Sequence, residues 1–163
     1  MKWTRTGRAN AERRACAVLN IAASFSLCSS AEWLSVCTAH HNALLEGPEA
    51  STDAALLLLA PHLHEIVEWK RPGAPLELPA SDVGALILQD VGGLGAEEQT
   101  RLLRWLATAS QHTQIVSTTP HSLFALVARG LFDEALYYHL NVVLLQIDFS
   151  DRREPRASNP YPD

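Results

Sequence analysis

What most constrains this chain is the alternation, through its second half, of short apolar runs with amphipathic helical stretches. Residues 85–88 read as a buried strand. Residues 96–110 read as a helix whose Leu102, Leu103 and Leu106 share one face, while Arg101 and Arg104 point elsewhere. Residues 114–118 form a second strand with a β-branched centre. Thr119 is then expected to cap a helix that takes Pro120 in its first turn, turns Leu123, Leu126 and Val127 inward and stops at Gly130. A short helix over 133–140 leads to a last strand over 142–147. Strands alternating with helices predict an α/β fold: a parallel sheet of about five strands with helices on both faces.

The first half is less sharply patterned. A strand is expected over 15–21 and a helix from about Ser30 to Leu45, ended by Gly47-Pro48. The apolar run 54–60 fits a buried strand or the start of a helix reaching Trp69; the strand is the reading adopted. Residues 1–14 are polar and basic and 148–163 hold little to bury, so one domain is expected over 15–147 between two loose ends. With 163 residues and 47% apolar content, one core is the natural expectation.

A formal net charge of -5, with no basic stripe, speaks against direct DNA binding. Three cysteines, Cys16, Cys28 and Cys37, without paired spacing, predict reduced thiols rather than a disulfide framework. Basic residues ahead of the apolar run 15–28 follow the order of an export signal. Asn20 interrupts that run and no clean small-x-small cleavage site follows at the expected place, so a cytoplasmic location is expected. No stretch reaches the roughly 20 apolar residues of a membrane span.

Three segments carry a resemblance. Gly84-Ala-Leu-Ile-Leu-Gln-Asp-Val-Gly-Gly-Leu94, followed by Arg101-Leu-Leu-Arg104, is similar to the Walker B strand and next helix of sigma-54-dependent transcription activators. Gln114-Ile-Val-Ser-Thr-Thr-Pro-His-Ser-Leu123 resembles their sensor I strand, and Phe132-Asp-Glu-Ala-Leu-Tyr-Tyr-His-Leu-Asn-Val142 resembles their Phe-Arg-Glu-Asp-Leu-Tyr-Tyr-Arg-Leu-Asn-Val segment. The resemblance covers roughly residues 71–153. It implies an AAA+ core similar to P-loop NTPases, lacking the helical lid because the chain ends soon after Arg152-Arg-Glu154.

In that family ATP and Mg are the expected cofactors, and the resemblance implies their loss here. The family's magnesium-ligating Asp is matched by Gln89 and its water-polarising Glu by Asp90. The sensor I Asn is matched by Pro120, and the two arginines acting in trans by Asp133 and His139. The strand at 15–21 would put the phosphate-binding loop at 22–29, where no glycine stands, and Lys2 and Lys70 are the chain's lysines. The sigma-54-contacting loop would precede Arg71-Pro-Gly73, where 61–70 leaves no room. A non-hydrolysing domain is therefore expected. Its expected partners are activator subunits or other copies of itself, met through the Leu-Tyr-Tyr-His-Leu-Asn segment.

The remaining features take plainer readings. His62, His64 and Glu65 lack a second ligand cluster, and His40-His41 near Cys37 fare no better, so no metal site is expected. No base is placed beside any one cysteine. Trp33, Trp69 and Trp105 are expected to be packing anchors.

Overall fold

The computed structural model describes residues 30–69, 76–80, 83–108 and 113–148. Five strands build one all-parallel sheet in the order β2-β3-β4-β1-β5. They are β1 (Ala43–Glu46), β2 (Ile66–Trp69), β3 (Ala85–Leu88), β4 (Gln114–Thr119) and β5 (Val143–Gln146). The strand expected over 15–21 lies outside the described residues, as do both termini.

Side chains alternate across the sheet and so define two cores. Ala43 and Leu45 of β1, Ala85 and Ile87 of β3, Val116 of β4 and Leu145 of β5 face α1 (Ala31–Ala39) and α2 (Glu49–Leu59). Leu44, Leu86, Leu88 and Ile115 face the opposite layer. That layer comprises α3 (Ala96–Thr108), α4 (Leu123–Ala128) and α5 (Glu134–Leu140), which contribute Leu102, Leu123, Leu136 and Leu140. Helices therefore cover both faces, as a parallel sheet requires.

The helix expected from Ser30 to Leu45 stops at Ala39, and its last residues form the interior strand β1 instead. Ser30 Oγ caps the helix by accepting from the Trp33 N–H at 3.1 Å, and His40 ends it in a left-handed turn with φ 55. Tertiary bonds then hold the next residues out of the helix. The Asn42 amide donates to the His139 carbonyl at 3.0 Å, and its oxygen accepts from the Ile115 N–H at 2.8 Å.

The strand expected over 54–60 is contradicted too, because residues 54–59 belong to α2 and Ala60 opens the short turn after it. Ser51, Ala55 and Leu59 repeat every four residues, as do Thr52 and Leu56. All five are buried, so the burial follows the helical period rather than the alternation of a strand. Beyond a short turn, Ala60–His62, residues 66–69 form strand β2 rather than the end of a helix reaching Trp69.

The second half follows expectation closely, apart from the start of α4. Thr119 is the last residue of β4 rather than a helix cap. Its hydroxyl donates to the His121 carbonyl at 2.7 Å and accepts from the His121 N–H at 3.3 Å, closing a turn before Ser122. Gly130, with φ 68, ends the segment as expected. Among the described residues no helix is long and apolar enough to cross a membrane.

Candidate functional site

Open parallel sheets bind ligands beyond the carboxyl ends of their strands, at the point where the strand order reverses. Here β1 is that point: the chain leaves it through α2 toward β2 at one edge of the sheet, while β5 flanks it on the other side. By that rule a ligand loop is expected between β1 and α2, at Gly47 and Pro48; residues 22–29, the position expected from the sequence, lie outside the described residues.

Only those two residues join the strand to the helix. Gly47 donates its N–H to the Thr119 carbonyl at 3.0 Å, and Ile147 donates to the Glu46 carbonyl at 2.8 Å. A Cβ on Gly47 would fall on the carbonyl oxygen of Ile147, so the glycine serves close approach of two backbones. Pro48 has no N–H to offer a ligand. The first turn of α2 carries Glu49, and no Lys or Arg occurs between Arg14 and Lys70. A helix start favours anions through its exposed N–H groups and dipole, and a carboxylate there opposes an incoming one.

Gln89 and Asp90 follow β3 at the same edge, both half-buried. Asp90 adopts φ 53 and ψ 52, a left-handed conformation that Asp tolerates better than most residues, and its N–H donates to the Thr118 hydroxyl at 3.2 Å. Pro120 is exposed just past β4. The sheet thus gathers Gln89, Asp90, Pro120 and the β1–α2 link at one edge.

Asp133 and His139 stand at opposite ends of α5. Asp133 caps α5, its carboxylate accepting from the Leu136 N–H at 2.8 Å, and its own N–H donates to Gln99 Oε1 at 2.8 Å. Gln99, buried in α3, also donates to the carbonyls of Leu94 and Leu131. His139 lies in the last turn of α5, and its carbonyl meets Asn42, which precedes β1 at the amino edge of the sheet. The structure therefore separates His139 from Gln89 and Asp90.

Sequence reasoning missed the β1–α2 link and the buried amide of Gln99. An apolar triplet running into Gly-Pro was the available signal for the first; nothing local marked the second. The aromatic expectations divide. Trp33 is buried; Trp105 is half-buried with its indole N–H donating to the Pro79 carbonyl at 2.9 Å; and the Trp69 side chain lies outside the description. Arg101 and Arg104 are exposed, as expected. Tyr137 stacks against both Phe124 and Tyr138, ring centroids 6.3 and 5.3 Å away, and those two partners are each 63% exposed.

Known proteins resemble this chain in sequence and fold. The chain is 40% identical over 72 residues to the acetoin catabolism regulatory protein of Cupriavidus necator, covering 37% of this chain and 11% of that one. It is 37% identical over 83 residues to the DNA-binding transcriptional regulator NtrC of Rhizobium meliloti, covering 44% and 17%. The chain thus spans less than a fifth of the length of these relatives. The crystal structure of NtrX from Brucella abortus in complex with ATP superposes with a TM-score of 0.56 at 22% identity, covering 77% of this chain and 36% of that one, which establishes the shared fold. The sigma-54 interaction domain profile matches residues 61–148, more than half of the chain, and the protein belongs to that family.

Proposed function

We propose that this chain is a sigma-54 interaction-type domain that has given up ATP hydrolysis and acts in transcription regulation through contacts with activator subunits. The observation that carries the reading is the two-residue link between β1 and α2. Gly47 is spent on packing against Ile147, Pro48 lacks an N–H, and Glu49 puts negative charge where triphosphate would sit. The family match begins at residue 61, so this link lies outside it.

The remaining positions point the same way. Gln89 is a neutral group in place of a magnesium carboxylate, Pro120 offers no side-chain donor, and Asp133 is engaged as a helix cap. These residues do not fit Mg-ATP, and no catalytic step is assigned to them. Contact with protein is supported by the exposed apolar side chains of Phe124, Leu131 and Tyr138 on or beside α4 and α5, which include the segment the sequence reading assigned to subunit contact. Direct DNA binding is not part of the reading, given the net charge of -5.

One observation favours residual nucleotide binding instead: Asp90 supplies a half-buried carboxylate at the same sheet edge, able to stand in for a magnesium ligand. Thermal melting and calorimetric titration of the purified chain with Mg-ATP separate the two. Binding to the native state raises the melting temperature. No shift and no heat at millimolar nucleotide are expected. A saturable shift would sink the non-catalytic reading and support the one built on Asp90.

A further inference from the structure

Two histidine clusters, each unconvincing by itself in the sequence, meet at the amino edge of the sheet. His40 closes α1 and His64 lies in the turn before β2; their ring centroids are 5.9 Å apart with an interplanar angle of 56°, and both are exposed. Two imidazoles on one tetrahedral zinc ion, with Zn–N bonds of about 2.0–2.1 Å, hold their centroids roughly 5 Å apart. A swing of about 1 Å in two exposed side chains therefore closes them on a shared ion.

The support beneath His40 distinguishes this pair from two solvated histidines. Gln114 is 2% exposed, and its amide nitrogen donates to the carbonyls of Val36 and His41, each at 2.9 Å. With both amide protons committed, the Gln114 oxygen faces His40 Nδ1 at 3.4 Å. That oxygen can only accept, so a hydrogen bond to it requires the His40 proton on Nδ1, which leaves the Nε2 lone pair for a ligand. A buried carbonyl group on the far nitrogen is the usual way in which a protein orients a metal-bound histidine. The backbone is also unusual on both sides of the pair: His40 and Glu65 hold left-handed φ values of 55 and 44 without being glycine.

We infer that His40 and His64 form a two-histidine site for a divalent transition metal that prefers imidazole, zinc foremost, with Gln114 as the positioning residue. The two imidazoles are the protein ligands of this proposal, with water completing the coordination; among the described residues no group of three or more His, Cys, Asp or Glu is placed to hold a metal. The ion pins the α1–β1 turn to the turn between α2 and β2.

The test is a calorimetric titration of the full chain with zinc sulfate, with histidine ring nitrogens followed by NMR. One equivalent binds and perturbs His40 and His64. His40→Ala or His64→Ala removes the binding, whereas His41→Ala and His62→Ala retain it. Before metal is added, the His40 ring carries its proton on Nδ1. Gln114→Leu redistributes that tautomer and weakens zinc roughly 10-fold. Absence of heat at millimolar zinc in folded protein overturns the site, as does undiminished binding after both histidines are replaced. Should Gln114→Leu not fold, the tautomer of the unaltered protein decides: a proton on Nε2 refutes the positioning role.

Discussion

Replacing Gln99 by Leu isolates one buried amide as the brace between α3 and the turn that carries Asp133. The substitution preserves side-chain bulk and helix propensity, so its cost comes from the hydrogen bonds. Gln99 donates to the Leu94 carbonyl at 2.8 Å and the Leu131 carbonyl at 3.1 Å, and accepts from the Asp133 N–H at 2.8 Å. Leu94 is buried, so its carbonyl carries the full penalty of an orphaned group, about 1–3 kcal/mol. Leu131 and Asp133 are exposed, water can replace their partner, and about 0.5–1 kcal/mol is lost at each. The total is about 3 kcal/mol, which at a urea slope near 2 kcal/mol/M lowers the unfolding midpoint by roughly 1.5 M. Asp133→Ala, which removes the α5 cap, costs about 1 kcal/mol by itself. Because the Asp133 N–H is shared with Gln99, the double variant loses less than the sum. A midpoint shift below about 0.3 M for Gln99→Leu, with the slope unchanged, would refute the assignment of Gln99 as the brace.

Other expectations are equally direct. Gly47→Ala forces a methyl group onto the Ile147 carbonyl and should cost about 1–3 kcal/mol, read by urea unfolding; unchanged stability would contradict the close approach of these two backbones. Leu102→Ala empties a fully buried position under β3 and β4, with an expected loss of about 2–5 kcal/mol in the same assay. Restoring the family's residues in the triple variant Gln89→Asp, Asp90→Glu and Pro120→Asn should leave the melting temperature insensitive to Mg-ATP, because the β1–α2 link is unaltered; a clear shift would move the defect from the link to those three residues. Tyr138→Asp on the exposed aromatic patch should change stability by less than about 0.5 kcal/mol. It should also abolish co-sedimentation with a sigma-54 activator where the unaltered chain shows it, and retained co-sedimentation would place the contact elsewhere.

The second half was legible because its signals are local. Residues 85–88 are apolar without interruption, as a strand buried on both faces must be, and all four are buried. Helix α3 declares itself through its one-sided leucines, and α5 through Asp133 ahead of the run that ends at Leu140. Alanine and leucine dominate residues 54–60, and so short an apolar stretch reads equally as strand or helix. Its packing against β4 and the burial of Ser51 and Thr52 made it helical, and neither is visible along the chain. The candidate site divides in the same way. Gln89, Asp90 and Pro120 follow strands that local patterns mark, whereas the link at Gly47-Pro48 follows a strand that only pairing with β4 and β5 defines.

By itself, then, the sequence determined the layered α/β character of this protein, the strands at 85–88 and 114–118, the helices that flank them, and the family to which they point. These features depend on side-chain periodicity and caps, which act over a few residues. Tertiary structure alone decided that Ala43–Glu46 is an interior strand paired on both sides, because that role is set by pairing with Val116 and Val143, roughly 70 and 100 residues away. It alone brought His40 to His64 and turned the buried amide of Gln114 beneath them. Parallel pairing and side-chain bonds between distant elements leave no periodic trace in the chain. They arise only when burial of two apolar faces forces those elements into one sheet.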